Sequence, residues 1–465
     1  MTDKDEIIKA QQEEIAILRQ EIAELKKKLG LDSHTSSKPP SGDGLGKKNR
    51  PPASLRSSNK SYGGQSGHAG KTLEPVKEPD KIEVHKVERC HQCQRDLSQS
   101  EVEKIIKRQV FDIEIKRIVV EHQAEMKRCE CGACTTATFP QGVKAPTQIG
   151  ELLKGIALYL SGQFIAKDRL STAMEDLFGV PISDTTLIKY EKQLSENLGL
   201  CYQQILERIQ KSFVKNRDES GLRVGGKTGW IQVLSTKMFT YLWFDQKRKS
   251  AIENGGGVLM HDHFPGYLHE NGVTHAFCNA HHLRELKALI MYEKEAWAGD
   301  MFALLRIMCR CTQAGEALSS KKIEFLERAY DKIIDRGFAY HEGLAPPMST
   351  STSSRGRRKR RTGHNLLLRF KEHKIGVLRF LSDPRVPFTN NQAEQDIRMV
   401  KLKQKNSGCL RTKAGAHYFS IIRSFISTVR KHNVNMLESI KLALHQQISL
   451  SDILPLEPQQ LLLSY

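Results

Sequence analysis

The sequence predicts a mixed α/β chain, with strands clustered in the middle and helices on either side of them. Residues 229–236 and 238–245, GWIQVLST and MFTYLWFD, are short β-branched and aromatic runs parted by a single lysine, as in a hairpin, and GGGVLMHDHF follows as a third apolar stretch. Helical spacing fills residues 146–210, roughly 275–345 and most of the chain from Asn365 onward. The simplest architecture is a mixed sheet with helices packed on it, and at 465 residues several units joined by linkers are expected.

The charge balance, 72 Lys and Arg against 53 Asp and Glu, leaves a net +19. With a pI near 9.4 this points to a polyanionic partner, nucleic acid first. There is no apolar run of bilayer length and no charged, cleavable leader, so a cytoplasmic, nucleoid-associated protein is expected. Five of the ten cysteines crowd into residues 90–134, which favours a metal over a disulfide scaffold.

In residues 1–30, Ile8, Ile15, Ile22 and Leu29 stand seven apart, with Leu18 and Leu25 at the intervening seam positions. This predicts a short coiled coil that makes the chain a homo-oligomer. Residues 31–74, rich in Ser, Gly, Pro and Lys, read as a flexible basic linker. Residues 75–142 carry Cys90-His91-Gln92-Cys93 and Cys129-Glu130-Cys131-Gly132-Ala133-Cys134, two knuckles suited to a structural zinc ion that closes a small β unit. Cys90 and Cys93 form one pair, and the other is Cys129 with Cys131 or Cys131 with Cys134. Residues 143–212 read as helices that bind DNA, with Asp184 or Thr185 as a cap and VPISDTTLIKYEKQL similar to the second half of a helix-turn-helix. Cys201 reads as packing. Residues 213–270 form the first part of the sheet core, 271–380 a helical insertion, 381–446 the last part of the core and 447–465 a tail. Within the insertion, Arg355, Arg357, Arg358, Lys359, Arg360 and Arg361 form a basic loop suited to phosphates.

Phosphodiester cleavage without a covalent intermediate suits two magnesium ions about 4 Å apart, held by carboxylate oxygens. Asp218, Asp262 and Glu394 stand before, after and beyond the strand runs, but composition alone makes them three among 53 acidic residues. Glu219 is adjacent to Asp218, and Glu394 also reads as a first-turn acid of a helix capped by Asn390 or Asn391. The segment FVKNRD before Asp218 is more polar than a buried central strand should be. His261 and His263 flank Asp262 and read as supporting or DNA-contacting residues. Cys278, His281, His282 and Glu285 share helical spacing, which fits a second zinc site or, as the preferred reading, packing beside the site. Arg398, Lys401, Lys403, Lys405, Arg411 and Lys413 follow Glu394 and read as contacts to a DNA backbone.

The stretches RDESG, VLMHDHFPGY, HAFCNAHHLREL and PFTNNQAEQDIRMVKLKQKNSGCLRT resemble the signature blocks of transposases of the insertion-sequence-66 family. The SSKPPS linker and the cysteine unit match that family's layout, and the likeness runs from about residue 8 to about residue 445. It implies a ribonuclease-H-like core in which Asp218, Asp262 and Glu394 hold two magnesium ions. It also implies hydrolysis at the element's ends, followed by attack of the freed 3′ hydroxyl on target DNA, with the zinc unit and flanking helices on the terminal repeats and small helper proteins encoded alongside. Thr389 and Gln395 depart from the family's more usual Asp and Arg. Two alternatives stand beside this reading: a catalytically decayed copy acting as a zinc-containing DNA-binding protein, and a nuclease without strand transfer.

Overall fold

The computed structural model describes residues 73–249, 252–313, 317–345 and 360–454, with positions 11, 12, 14, 15, 18, 31, 32 and 35 before them. The expected coiled coil and linker are almost wholly outside the described residues, as are Arg355, Arg357, Arg358 and Lys359 of the basic loop and residues 455–465 of the tail. In the cysteine unit a small hairpin, β1 (Met126–Arg128) and β2 (Cys134–Thr136), turns through the second knuckle. Helices α1 (Glu151–Gly162), α2 (Lys167–Phe178), α3 (Asp184–Asn197) and α4 (Gly199–Lys211) follow. The cap of α3 is Ser183, whose Oγ accepts from the Thr186 amide at 3.2 Å, and not Asp184 or Thr185; those two already lie within the first turn. Cys201 is fully buried in the apolar core.

Five strands then form one mixed sheet: β3 (Val214–Val224), β4 (Lys227–Ser235), β5 (Thr240–Asp245), β6 (Val258–His261) and β7 (Thr274–Phe277), in the order β5-β4-β3-β6-β7. β3 is central, antiparallel to β4 and parallel to β6, and β7 is parallel to β6. The β4–β5 hairpin is the one expected from sequence. The β3–β4 turn is a second hairpin, made by Gly225 and Gly226 with φ of 55° and 76°, the two positive values that such a turn demands.

Asp218 therefore lies inside a strand and not before one. That strand is central although it carries Lys215, Asn216 and Arg217, all buried. Each polar head is answered within the protein. The Lys215 ammonium donates to the carbonyls of Ser212 at 2.9 Å and of Gly256, which Gly257 brings close through a backbone where a Cβ would stand 2.4 Å from the Phe213 oxygen. Asn216 bonds Asn390 at 2.9 Å. Arg217 pairs with Glu270 and lies over the rings of Tyr267 and Trp243.

After the short α5 (Pro265–Leu268) and β7 come α6 (Asn279–Ala288), extended by a π turn at Leu289–Glu293, then α7 (Ala296–Thr312), α8 (Ser320–Glu342), α9 (Thr362–Glu372) and α10 (Lys374–Ser382). They share one core with β6 and β7 through Val258, Met260, Phe277, Met301, Tyr330 and Phe370. Because β7 belongs to the sheet, the insertion begins after residue 278, not at 271. The chain closes with α11 (Asn391–Ser407), α12 (Lys413–Lys431) and α13 (Met436–His445). α11 lays Ala393, Ile397 and Val400 on the sheet face formed by Leu222, Ile231, Val233 and Leu242. α12 runs along the outer edge of β5, where the amides of Leu242 and Thr240 donate to Ser424 Oγ at 2.8 Å and Thr428 Oγ1 at 3.2 Å. At the other edge α10 covers β7: Arg379 Nε donates to the His275 carbonyl at 3.1 Å, and a Cβ on Gly376 would meet the Phe277 ring at 2.5 Å.

Edge amides that are buried and unbonded cost about 1–3 kcal/mol each. Combining Ser424→Ala with Thr428→Val is expected to lower the thermal midpoint by several degrees, and by more than either change alone. A double variant that melts with the parent would show that these hydroxyls do not hold the edge.

Candidate active site

In the parallel part of the sheet, Asn216 is aligned with Met260 and Met260 with Ala276. Side chains alternate faces with a period of two, so two residues further on Asp218, Asp262 and Cys278 fall on one face, the one that α11 covers. The first turn of α11 brings Glu394 there. The Cys278 thiol is 3.8 Å from Glu394 Oε1, and Arg284 and Arg398 each stand 4.0 Å from its other oxygen. Asp218 accepts from the Glu219 amide at 2.8 Å and Asp262 from the Phe264 amide at 2.9 Å. Burial, and then the charges of Glu219, Asp262 and Glu394, push the Asp218 carboxyl up to about 8. The three candidate carboxylates are thus within electrostatic reach of one another.

Glu219, the neighbour that sequence could not separate from Asp218, has its own partners. Its oxygens take Arg248 Nε at 2.8 Å and the Tyr267 hydroxyl, and Arg248 lies over Phe264. Alternation along the strand turns it from the face that Asp218 uses. Neither Arg248 nor Tyr267 was singled out from sequence; the FPGY turn after Asp262 was the available signal.

Asn390 is the N-cap residue of α11, one of the two expected, but its side chain makes no capping hydrogen bond. Its Nδ2 donates to the Arg217 carbonyl at 2.7 Å, its Oδ1 accepts from Asn216, and its amide donates to Cys278 Sγ at 3.2 Å. The physical reason is burial. An amide side chain beside a polar strand satisfies two groups that water cannot reach, whereas a helix end has alternatives.

The histidines are inward. His261 is fully buried and bonds His275 at 2.9 Å, so it is no DNA contact, and burial lowers its pKa to about 3. His263 bonds His282 at 2.7 Å and stacks on Phe277. Of the Cys278 block, Glu285 pairs with Arg369 instead, and His282 bonds Asn279. Only Cys278 and His281 approach Glu394: one ligand atom from each of the three lies within 4.8 Å of the others, the one such group of His, Cys, Asp and Glu among the described residues. Burial opposes charge on His281, but Cys278 and Glu394 beside it raise it to about 9.

The cysteine knuckles stand as two pairs that do not converge. Hydrogen bonds from Cys93 lower the Cys90 thiol, and those from Cys131 lower Cys129, so of the two pairings left open the contact favours Cys129 with Cys131 over Cys134. Among the basic candidates Arg360, Arg398, Lys401, Lys405, Arg411 and Lys413 are exposed and Arg361 is half-buried. Lys401 donates to the Gly221 carbonyl at 2.7 Å. Lys403 is half-buried near Glu191 and Lys167, which sets it apart from the exposed DNA-facing candidates.

A family model described as Transposase IS66 family matches residues 151–418, more than half of the chain. A second, described only as a family of unknown function, matches residues 2–74. No curated protein matches the chain. Among the described residues no helix is long and apolar enough to cross a membrane.

A carboxyl whose folded pKa is raised stabilises the fold fully below its unfolded value, and that stability is lost as pH rises through the folded value, here from about 4 to about 8. Asp218→Asn removes this loss. The metal-free variant is expected to melt a few degrees above the parent at pH 8, on the order of 1–2 kcal/mol after allowing for solvent, and close to it at pH 5. A difference that does not grow with pH would contradict the crowding of like charges.

Proposed function

The chain belongs to the transposase IS66 family, and from that premise we propose that it is a DDE-type enzyme that binds the ends of its element, hydrolyses DNA there and joins the freed 3′ hydroxyls to target DNA. Membership makes it a DNA-processing transposase that works with divalent metal. The finer reading rests on one observation, the approach of Asp262 and Glu394, from the end of β6 and the start of α11, to Asp218 in the middle of β3. The sheet, with its first strand central and helices around it, is in keeping with a ribonuclease-H-like core.

The donor set fits hard ions, because three carboxylates supply oxygen ligands and the charges of Asp262 and Glu394 already oppose ionisation of Asp218. Two magnesium ions, when bound, supply an activated hydroxyl nucleophile and stabilise the leaving oxygen. Asp218, Asp262 and Glu394 would hold them, and Asp218, whose carboxyl burial and like charges push up to about 8, would give up its proton when a metal binds. Asn390 positions Glu394 by tying the start of α11 to β3. Arg284 and Arg398 stand beside Glu394 as ready partners for phosphate oxygens. Exposed Arg360, Lys401, Lys405, Arg411 and Lys413 follow the DNA backbone, joined by Arg355, Arg357, Arg358, Lys359 and Arg361. In the same reading a structural zinc ion would join Cys90 and Cys93 to Cys129 and Cys131 by drawing together two pairs that stand apart here, residues 75–212 bind the element's ends, residues 1–30 pair copies of the chain, and helper proteins assist.

The test is cleavage of DNA carrying the sequences that flank the gene, with magnesium, with chelator, and with Glu394→Gln beside the parent. Magnesium-dependent nicks at the ends, reduced by a factor on the order of 10² or more in the variant, about 3 kcal/mol of barrier, are expected. Tight, specific DNA binding with no cutting, even with helper proteins, would instead make this a decayed copy that only binds. Nicks without joined products would make it a nuclease.

A further inference from the structure

We propose that Cys278, His281 and Glu394 form a binding site for a thiophilic divalent ion of the zinc class, distinct in chemistry from the all-carboxylate site and sharing Glu394 with it. Cys278 ends β7 and opens α6, so that His281, three residues on, returns to the same side in the first helical turn, its amide 3.2 Å from the Cys278 carbonyl. Glu394 arrives from α11 on the other side. A sulfur, an imidazole nitrogen and a carboxylate oxygen lie within 4.8 Å of one another, enough for a small inward shift of side chains to close them on one ion. Three protein ligands with a fourth position open is a zinc arrangement, whereas magnesium discriminates against sulfur and nitrogen.

A second observation points the same way. His281 Nδ1 is buried with no hydrogen-bond partner, a cost that native interiors rarely leave unanswered. The backbone holds its sulfur ligand in place, for the Asn390 amide donates to Cys278 Sγ at 3.2 Å, an outer contact of the kind that orients metal ligands. Binding releases the thiol proton of Cys278 and the extra proton of the His281 imidazole to solvent, and the ion takes the place of the thiol proton between Cys278 and Glu394. With Glu394 so engaged, a thiophilic ion competes with magnesium. This consequence rests on the role proposed for Glu394; the binding site itself does not.

Binding is tested without DNA. The full-length protein is stripped of metal under reducing conditions and titrated with cobalt(II), read by its thiolate charge-transfer absorption, and with zinc, read as ions bound per chain. Any ion taken up by the cysteine knuckles is common to every sample. The parent is expected to hold one ion more than Cys278→Ser and than His281→Gln, and Glu394→Gln is expected to bind that ion roughly 10-fold or more weakly. Far-ultraviolet circular dichroism confirms folding, and two chemically different variants guard against the misfolding of one. Equal stoichiometry and absorption in the parent and both folded variants would overturn the site. In cleavage reactions, zinc added beside magnesium is expected to inhibit the parent but not Cys278→Ser. Equal inhibition would refute the competition, and failure of all cleavage would count against the enzymatic reading while leaving the binding result to stand.

Discussion

A strand with Lys, Asn and Arg in its middle can occupy the centre of a sheet only if each polar head finds a partner inside the protein. Much of the site follows from how β3 meets that demand. Asn390 answers Asn216 and the Arg217 carbonyl, and in doing so fixes where α11 begins and hence where Glu394 stands. Glu270 answers Arg217 from below, and Tyr267 on the same loop reaches across to Glu219. Lys215 is answered by carbonyls that a run of three left-handed glycines, Gly255 to Gly257, draws close. The polar core is therefore the means by which distant parts of the chain are held over the middle of β3 and the end of β6.

The surroundings sharpen the electrostatics. Imidazoles on the sheet side are kept neutral by burial, so they do not neutralise the carboxylates. Beside Glu394 itself the exception is His281, raised to about 9, and two arginines stand at the limit of ion-pairing distance, one of them largely exposed. A metal-free protein that gathers like charges under a helix is less stable than it would be with neutral residues there, the trade that functional sites commonly make.

The hairpin of β4 and β5, the strand into Asp262 and the helical insertion were legible because β-branched periodicity and helical spacing are local signals. β3 was not, since its polar residues are reconciled only by Asn390, Glu270 and Gly256, residues distant in sequence. β7 was missed for a different reason: THAF is four residues long, paired on one side and covered by α10 on the other, too short to show a period. Asn390 followed the same logic in reverse, because Asn before a helix reads as a cap until the strand beside it is known. Of the candidate residues, the three carboxylates came from the family likeness, and adjacency left Asp218 and Glu219 equivalent until strand alternation separated them. The approach of Cys278 and His281 to Glu394 had no sequence signal beyond the Cys-x-x-His spacing, because the third member comes from a helix more than a hundred residues away.

Both margins of the sheet are sealed by the chain's own helices, β5 by hydroxyls from α12 and β7 by the close seat of α10 at Gly376. Among the described residues, neither edge of this five-stranded sheet is left open to an incoming strand, whether from a second copy or from an unfolded neighbour. Any contact between copies would then be built from helical surfaces and from the segments outside this sheet. A lesion that loosens α12 would do more than weaken the fold: it would expose a template for strand-by-strand aggregation.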